Sequence, residues 1–142
     1  MKRIVDGLGG MQFFKRPIQH EFDLMEVVRE GLPIASVEFL RHNFGLTNKQ
    51  MSTFLAISES TYQRRLRAQS TLTPDETEKA ISLSELYEKG MEVFENKDDL
   101  EQWFNAPVQN LQNRKPIDLL DTMLGRAQVM TVLNALLHGI YL

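Results

Sequence analysis

Residues 47–68 read TNKQMSTFLAISESTYQRRLRA, and this stretch decides the fold. Thr47 and Gln50 stand at the N-cap and N3 positions of a capping box, in which the hydroxyl accepts an amide hydrogen and the glutamine reaches back. They open a short helix that runs to about Leu55. Ser58 is placed to cap a second helix over residues 59–68. Two short helices joined by a tight turn have the length and spacing of a helix-turn-helix. Met51, Leu55, Ile57, Tyr62 and Leu66 supply apolar surface to pack the pair together and onto a third helix. The turn carries Ala56 where glycine is common. A left-handed backbone there would cost alanine about 1 kcal/mol relative to glycine.

The second helix of such a pair presents its N-terminal residues to base edges and phosphates. Here those residues include Ser60 and Thr61, followed by Gln63, Arg64, Arg65 and Arg67. Glutamine reads adenine through two hydrogen bonds, and arginine reads guanine the same way. Gln63, Arg64 and Arg67 are therefore the candidate base readers. Lys49, Thr61 and Arg65 suit phosphates better, because such contacts fix register rather than sequence, and Ser60 stands where base edges and phosphates are both within reach. The competing reading is an αα-hairpin whose exposed face happens to be rich in arginine. One such motif neutralises few phosphates, so useful specificity calls for a dimer on two half-sites.

Outward from this core the chain punctuates itself into further helices. Phe22 to Glu30 has apolar residues at helical spacing, stopped by Gly31 and Pro33. Ser36 to Phe44 repeats the pattern up to Gly45. Thr73-Pro74-Asp75-Glu76 combines an N-cap threonine, proline at N1 and glutamate at N3. The helix it opens runs to about Glu95, with Glu85 and Lys89 spaced to pair. A short helix over residues 97–105 turns Leu100, Trp103 and Phe104 inward. Residues 109–115 are polar and read as a loop. Pro116 starts a last helical region, in which Gly125 marks a possible break. The reading is all-α, with no alternation of period two that would signal strands. Residues 1–17 contain Gly7, Gly9 and Gly10 and read as a flexible N-terminal arm. The methionines among apolar positions, Met11, Met25, Met51, Met91, Met123 and Met130, read as core filler.

The net charge of −3 hides an asymmetry. Residues 36–72 carry five basic side chains against two acids, whereas residues 73–105 carry ten acids against three lysines. Segregated charge points to an anionic partner for the basic segment, although two solvated helix faces would give the same counts. The absence of cysteine removes disulfides and thiolate chemistry. No apolar run reaches the roughly 18 residues of a membrane span. The expected location is the cytoplasm. His20, His42 and His138 are too scattered for a metal or catalytic motif. The acids Glu85, Glu88, Glu92 and Glu95 recur at helical spacing, as a solvated face or, less simply, a cation site. No enzyme, cofactor or metal is expected.

Further motifs carry a more specific signal. They are Trp103-Phe104-Asn105-Ala106-Pro107, the stretch Pro116-Ile117-Asp118-Leu119-Leu120-Asp121-Thr122 with Gly125, and the ending His138-Gly139-Ile140-Tyr141. With Thr61 to Leu66 before them, they make residues 18–142 resemble the Xre/MbcA/ParS antitoxins, partners of RES-domain toxins. The resemblance implies a DNA-binding domain over residues 18–72 and a helical toxin-binding domain over residues 73–142. It implies that the first half represses its own operon by binding operator double-stranded DNA. The second would cover the active site of an NAD⁺-consuming toxin, with NAD⁺ belonging to the toxin. It also implies a homodimer and a larger toxin–antitoxin assembly. His138, Gly139, Ile140, Tyr141 and Leu142 would enter the toxin's cleft, or else fold back onto the core. A stand-alone repressor with a C-terminal dimerisation domain is the alternative.

Overall fold

The computed structural model describes residues 1–139 and is all-α: about the described residues no strand is formed, and the two isolated bridges join Pro33 to Thr71 and Val108 to Arg114. The helices are α1 (Lys2–Gly7), α2 (Glu21–Glu30), α3 (Ile34–Asn43), α4 (Asn48–Phe54), α5 (Glu59–Ala68), α6 (Pro74–Phe94), α7 (Lys97–Phe104) and α8 (Met123–Leu137). They fall into two compact units, residues 1–84 and 85–142, so that α6 contributes to both.

In the first unit, Leu32, Ile34, Val37, Leu40, Met51, Leu55 and Tyr62 form a core from which water is excluded. The starts and stops follow the local chemistry. The Thr47 hydroxyl accepts from Gln50 N–H at 3.0 Å, and Gln50 Oε1 accepts from Thr47 N–H at 2.9 Å, completing the box. The Ser58 hydroxyl accepts from Thr61 N–H at 3.0 Å. Thr73 and Glu76 form the same reciprocal pair at the start of α6. Gly31 ends α2 with φ +85°, and a Cβ there would lie 2.3 Å from the carbonyl oxygen of Leu72. Only glycine fits that approach.

The N-terminal segment, which the sequence suggests is loose, carries α1 and packs on the unit. Val5 and Leu8 are buried. Two buried serines explain the docking, since a buried hydroxyl must find a partner. The Ser36 hydroxyl donates to the Leu8 carbonyl, and the Ser84 hydroxyl donates to that of Ile4 at 2.9 Å. Gly9 and Gly10, with φ +100° and +83°, turn the chain after α1 rather than preventing it.

In the second unit, Leu86, Tyr87, Leu100, Phe104, Leu120, Val129 and Leu133 are buried. Tyr87 stacks on Phe104 with ring centroids 4.6 Å apart. Trp103, expected inward, is only half-buried, tilted 5.6 Å from Phe94 and edge-on to Phe104. Its position follows from α7 itself: Leu100 and Phe104 are four apart and take the inner face, which leaves Trp103 at its margin. Lys89 pairs with Glu92 at 3.4 Å and not with Glu85, which is exposed. The methionine reading also needs correction. Met51 is fully buried, but Met11, Met25 and Met123 are exposed, Met123 at 74%.

Candidate functional site

The helix-turn-helix is α4, the turn and α5. Ala56 has φ 60°, the left-handed conformation its position in the turn demands, and its N–H donates to the Thr53 carbonyl at 3.0 Å. Ile57 N–H then reaches the Ser52 carbonyl at 3.0 Å. The strain at Ala56 is thus offset by two closed backbone bonds.

At about 100° per residue, Ser60, Gln63, Arg64 and Arg67 fall within roughly 100° of arc on α5. Ser60, Arg64 and Arg67 are exposed and Gln63 is half-buried. Lys49, near the start of α4, is exposed as well. Among the described residues the side chains of Lys49, Arg64 and Arg67 make no hydrogen bond or ion pair. The structure therefore leaves three basic side chains and one amide on an accessible surface.

Thr61 and Arg65 have other engagements. The Thr61 hydroxyl accepts from Ser58 Oγ at 2.9 Å, so it belongs to the helix cap. The Arg65 guanidinium is held by Glu76, a carboxylate only 5% exposed. Glu76 Oε1 also accepts from Thr73 N–H at 2.9 Å, so one oxygen both caps α6 and grips α5.

A second carboxylate holds the same helix from α3. The Tyr62 hydroxyl donates to Glu38 Oε2 at 2.8 Å, and Arg41 Nε donates to that oxygen at 2.9 Å. Arg41 also reaches the Leu46 carbonyl at 2.8 Å, just before the α4 cap. Burial alone would raise the Glu38 carboxyl; the Arg41 guanidinium and the Tyr62 hydroxyl more than offset this and hold it below its ordinary value. Burial, then Glu38, push the Tyr62 hydroxyl far up, so it stays a donor. In the sequence Glu38 is one of the two acids of residues 36–72. The Glu38–Arg41 spacing of three was the available signal, but the tyrosine that closes the network lies 24 residues on.

The second candidate surface is the chain end. His138 caps α8 and is exposed, its N–H donating to the Asn134 carbonyl at 3.1 Å. Gly139 has φ +71° with open space around it. Ile140, Tyr141 and Leu142 lie outside the described residues. The Pro116-to-Gly125 stretch acquires a physical reason. Thr122 accepts from Gly125 N–H at 2.9 Å, and a Cβ on Gly125 would lie 1.9 Å from the Leu119 carbonyl oxygen. Threonine caps α8, and glycine lets the preceding turn close against it. Among the described residues no group of three histidine or carboxylate side chains converges as a metal site, and no helix is long and apolar enough to cross a membrane.

Comparison with known proteins matches both units. Residues 23–84 match the antitoxin Xre-like helix-turn-helix domain, and residues 89–139 match the antitoxin Xre/MbcA/ParS C-terminal toxin-binding domain. The chain is 25% identical over 118 residues to Antitoxin Xre of Photorhabdus laumondii, covering 82% of this chain and 80% of the relative. It is 23% identical over 128 residues to the Prs ADP-ribosylating antitoxin of a Sphingobium species, covering 84% of this chain and 80% of that one. Among solved structures it is similar to a chain of the M. tuberculosis MbcT–MbcA toxin–antitoxin complex. There the TM-score is 0.60 and the identity 21%, over 77% of this chain and 96% of that one. The last likeness concerns the fold. With a helix-turn-helix domain followed in series by a toxin-binding domain, the chain belongs to the Xre/MbcA/ParS antitoxin family.

Proposed function

We propose that this antitoxin neutralises a RES-domain, NAD⁺-consuming toxin by covering its active site with the C-terminal region, and represses its own operon through the helix-turn-helix. The observation that carries the reading is the pairing of the two family domains in one chain. The name of the Sphingobium relative ties that protein to ADP-ribosylation, a transfer whose donor is NAD⁺. On this reading residues 18–72 bind DNA and residues 73–142 bind toxin. Gln63, Arg64 and Arg67 read bases, while Lys49, Ser60, Thr61 and Arg65 serve phosphate contacts and the geometry that aims them. His138 to Leu142 enter the toxin's cleft, where the aromatic side chain of Tyr141 suits a pocket built for a dinucleotide. The chain works in the cytoplasm as a homodimer within a larger assembly. It has no catalytic role and no cofactor of its own.

Co-expression with the product of the adjacent gene tests this. A stable complex without NAD⁺-consuming activity is the expected result, and loss of residues 139–142 should restore that activity while operator binding persists. A chain that binds operator but no neighbouring gene product would instead be the stand-alone repressor.

A further inference from the structure

The outer face of α8 carries no charge. Of its exposed side chains, Met123, Leu124, Ala127, Gln128, Thr131 and Leu137, none bears a carboxylate, ammonium or guanidinium. Its one basic residue, Arg126, is buried and donates to the Leu120 carbonyl at 2.9 Å. The rest of the unit behaves differently: Asp98, Asp99 and Glu101 are exposed on α7, and Glu85 on α6. Among the described residues, all large exposed apolar side chains of this unit lie on α8, led by Met123 at 74% and Leu124 at 75%. A face that lacks charge and is rich in methionine and leucine has the composition of an interface centre, not of a solvated surface.

From this we infer that the uncharged face of α8 is the main docking surface for the cognate toxin, separate from the chain end. The inference rests on the antitoxin reading above and adds where the toxin sits. Two observations choose the toxin over a second copy of this chain, and a third shows that the face is of interface size. First, α8 lies wholly within residues 89–139, the part that matches the toxin-binding domain. Second, it runs directly into His138 and Gly139, so one partner can engage the face and the chain end together. Third, fifteen residues of helix span about 22 Å, which fits within one side of a standard interface of about 800 Å². A cleft of about 340 Å³ lies at the N-terminal end of the face, lined by Leu119, Leu124, Gly125 and Gln128 from the face and its turn and by Arg114, its one charged residue, at the rim. It gives a partner side chain somewhere to insert. The Thr122–Gly125 turn sets this end of the face and holds Met123 and Leu124 in solvent.

Ala127→Glu tests the inference, because it places a charge amid an exposed face and keeps a good helix former. Gln102→Glu, on exposed α7, is the matched control. Each full-length variant is titrated against the purified product of the adjacent gene, with melting temperature and oligomeric state recorded. Ala127→Glu should weaken binding by about thirtyfold or more, the size of an interface hot spot, while Gln102→Glu and both melting temperatures stay near wild type. Equal affinity of wild type and Ala127→Glu would overturn this inference alone. So would a dimer that falls to monomer with toxin affinity retained, because the face would then join antitoxin to antitoxin. Failure of the wild-type chain itself to bind would overturn the antitoxin reading on which the inference rests.

Discussion

Arg65 shows how a single residue changes meaning once its neighbour is known. By sequence it is one of three arginines in a recognition helix and suits a phosphate. In the structure its guanidinium is held by buried Glu76. Removing an acid near DNA ordinarily tightens binding, because the protein's field becomes more positive. Glu76→Gln keeps an acceptor for the Thr73 amide but surrenders the ion pair, and here it should weaken operator binding severalfold with an unchanged salt slope. If affinity rises and the slope steepens by about 0.9, Arg65 is a phosphate ligand after all. Glu38 offers a pH test. Its carboxyl is held below its ordinary value of 4.5, so its contribution to stability is full above that value and is lost as pH falls through and below it. Urea midpoints between pH 7 and pH 3 should fall further for wild type than for Tyr62→Phe, which lacks one of the bonds to Glu38. Parallel curves would remove Tyr62 from the network.

At the scale of elements, the caps were legible because they are local. Thr47, Ser58 and Thr73 each act within three residues, and each stands where the sequence suggests; Gly31 ends α2 as read, but the Leu72 carbonyl that makes glycine necessary there lies 41 residues on. Pairings set by distant parts of the fold were not legible. The docking of α1 depends on Ser36 and Ser84, which lie 28 and 80 residues from their partners. The exposure of Met123 depends on how the turn before α8 closes, and composition alone makes a methionine look like core. The basic side of α5 was readable from helical periodicity, whereas the carboxylates that grip its other side were not. Gly125 lies between these cases: its place in a motif is visible, but the reason appears only with the Leu119 carbonyl. Alanine normally stabilises a helix relative to glycine by up to about 1 kcal/mol. Gly125→Ala should nonetheless destabilise the chain by about 1–3 kcal/mol, since its Cβ meets backbone that cannot swing aside. Chemical denaturation decides the sign directly, and a gain in stability would show that the turn can open at little cost.

For the whole molecule, the segregation of charge predicts how salt acts on its two activities. Operator binding through Lys49, Arg64 and Arg67 releases counterions, so its affinity should fall steeply as salt rises. Toxin binding on an uncharged helix face should change little over the same range. Titrations of each partner from 50 to about 300 mM salt separate the two; equal slopes would mean that charged contacts govern both.

The aromatic cluster of the second unit gives that unit an optical signature. Trp103 is the only tryptophan in the chain, and it stands half-buried between Phe94 and Phe104. Its emission therefore reports on residues 85–142 alone, whereas helical circular dichroism sums over the whole chain. Overlaid melting curves from the two signals would mark a single cooperative transition, and separated curves would show which half lets go first. No label has to be introduced, and a toxin that settles close to the indole would register as a spectral shift in the same cuvette.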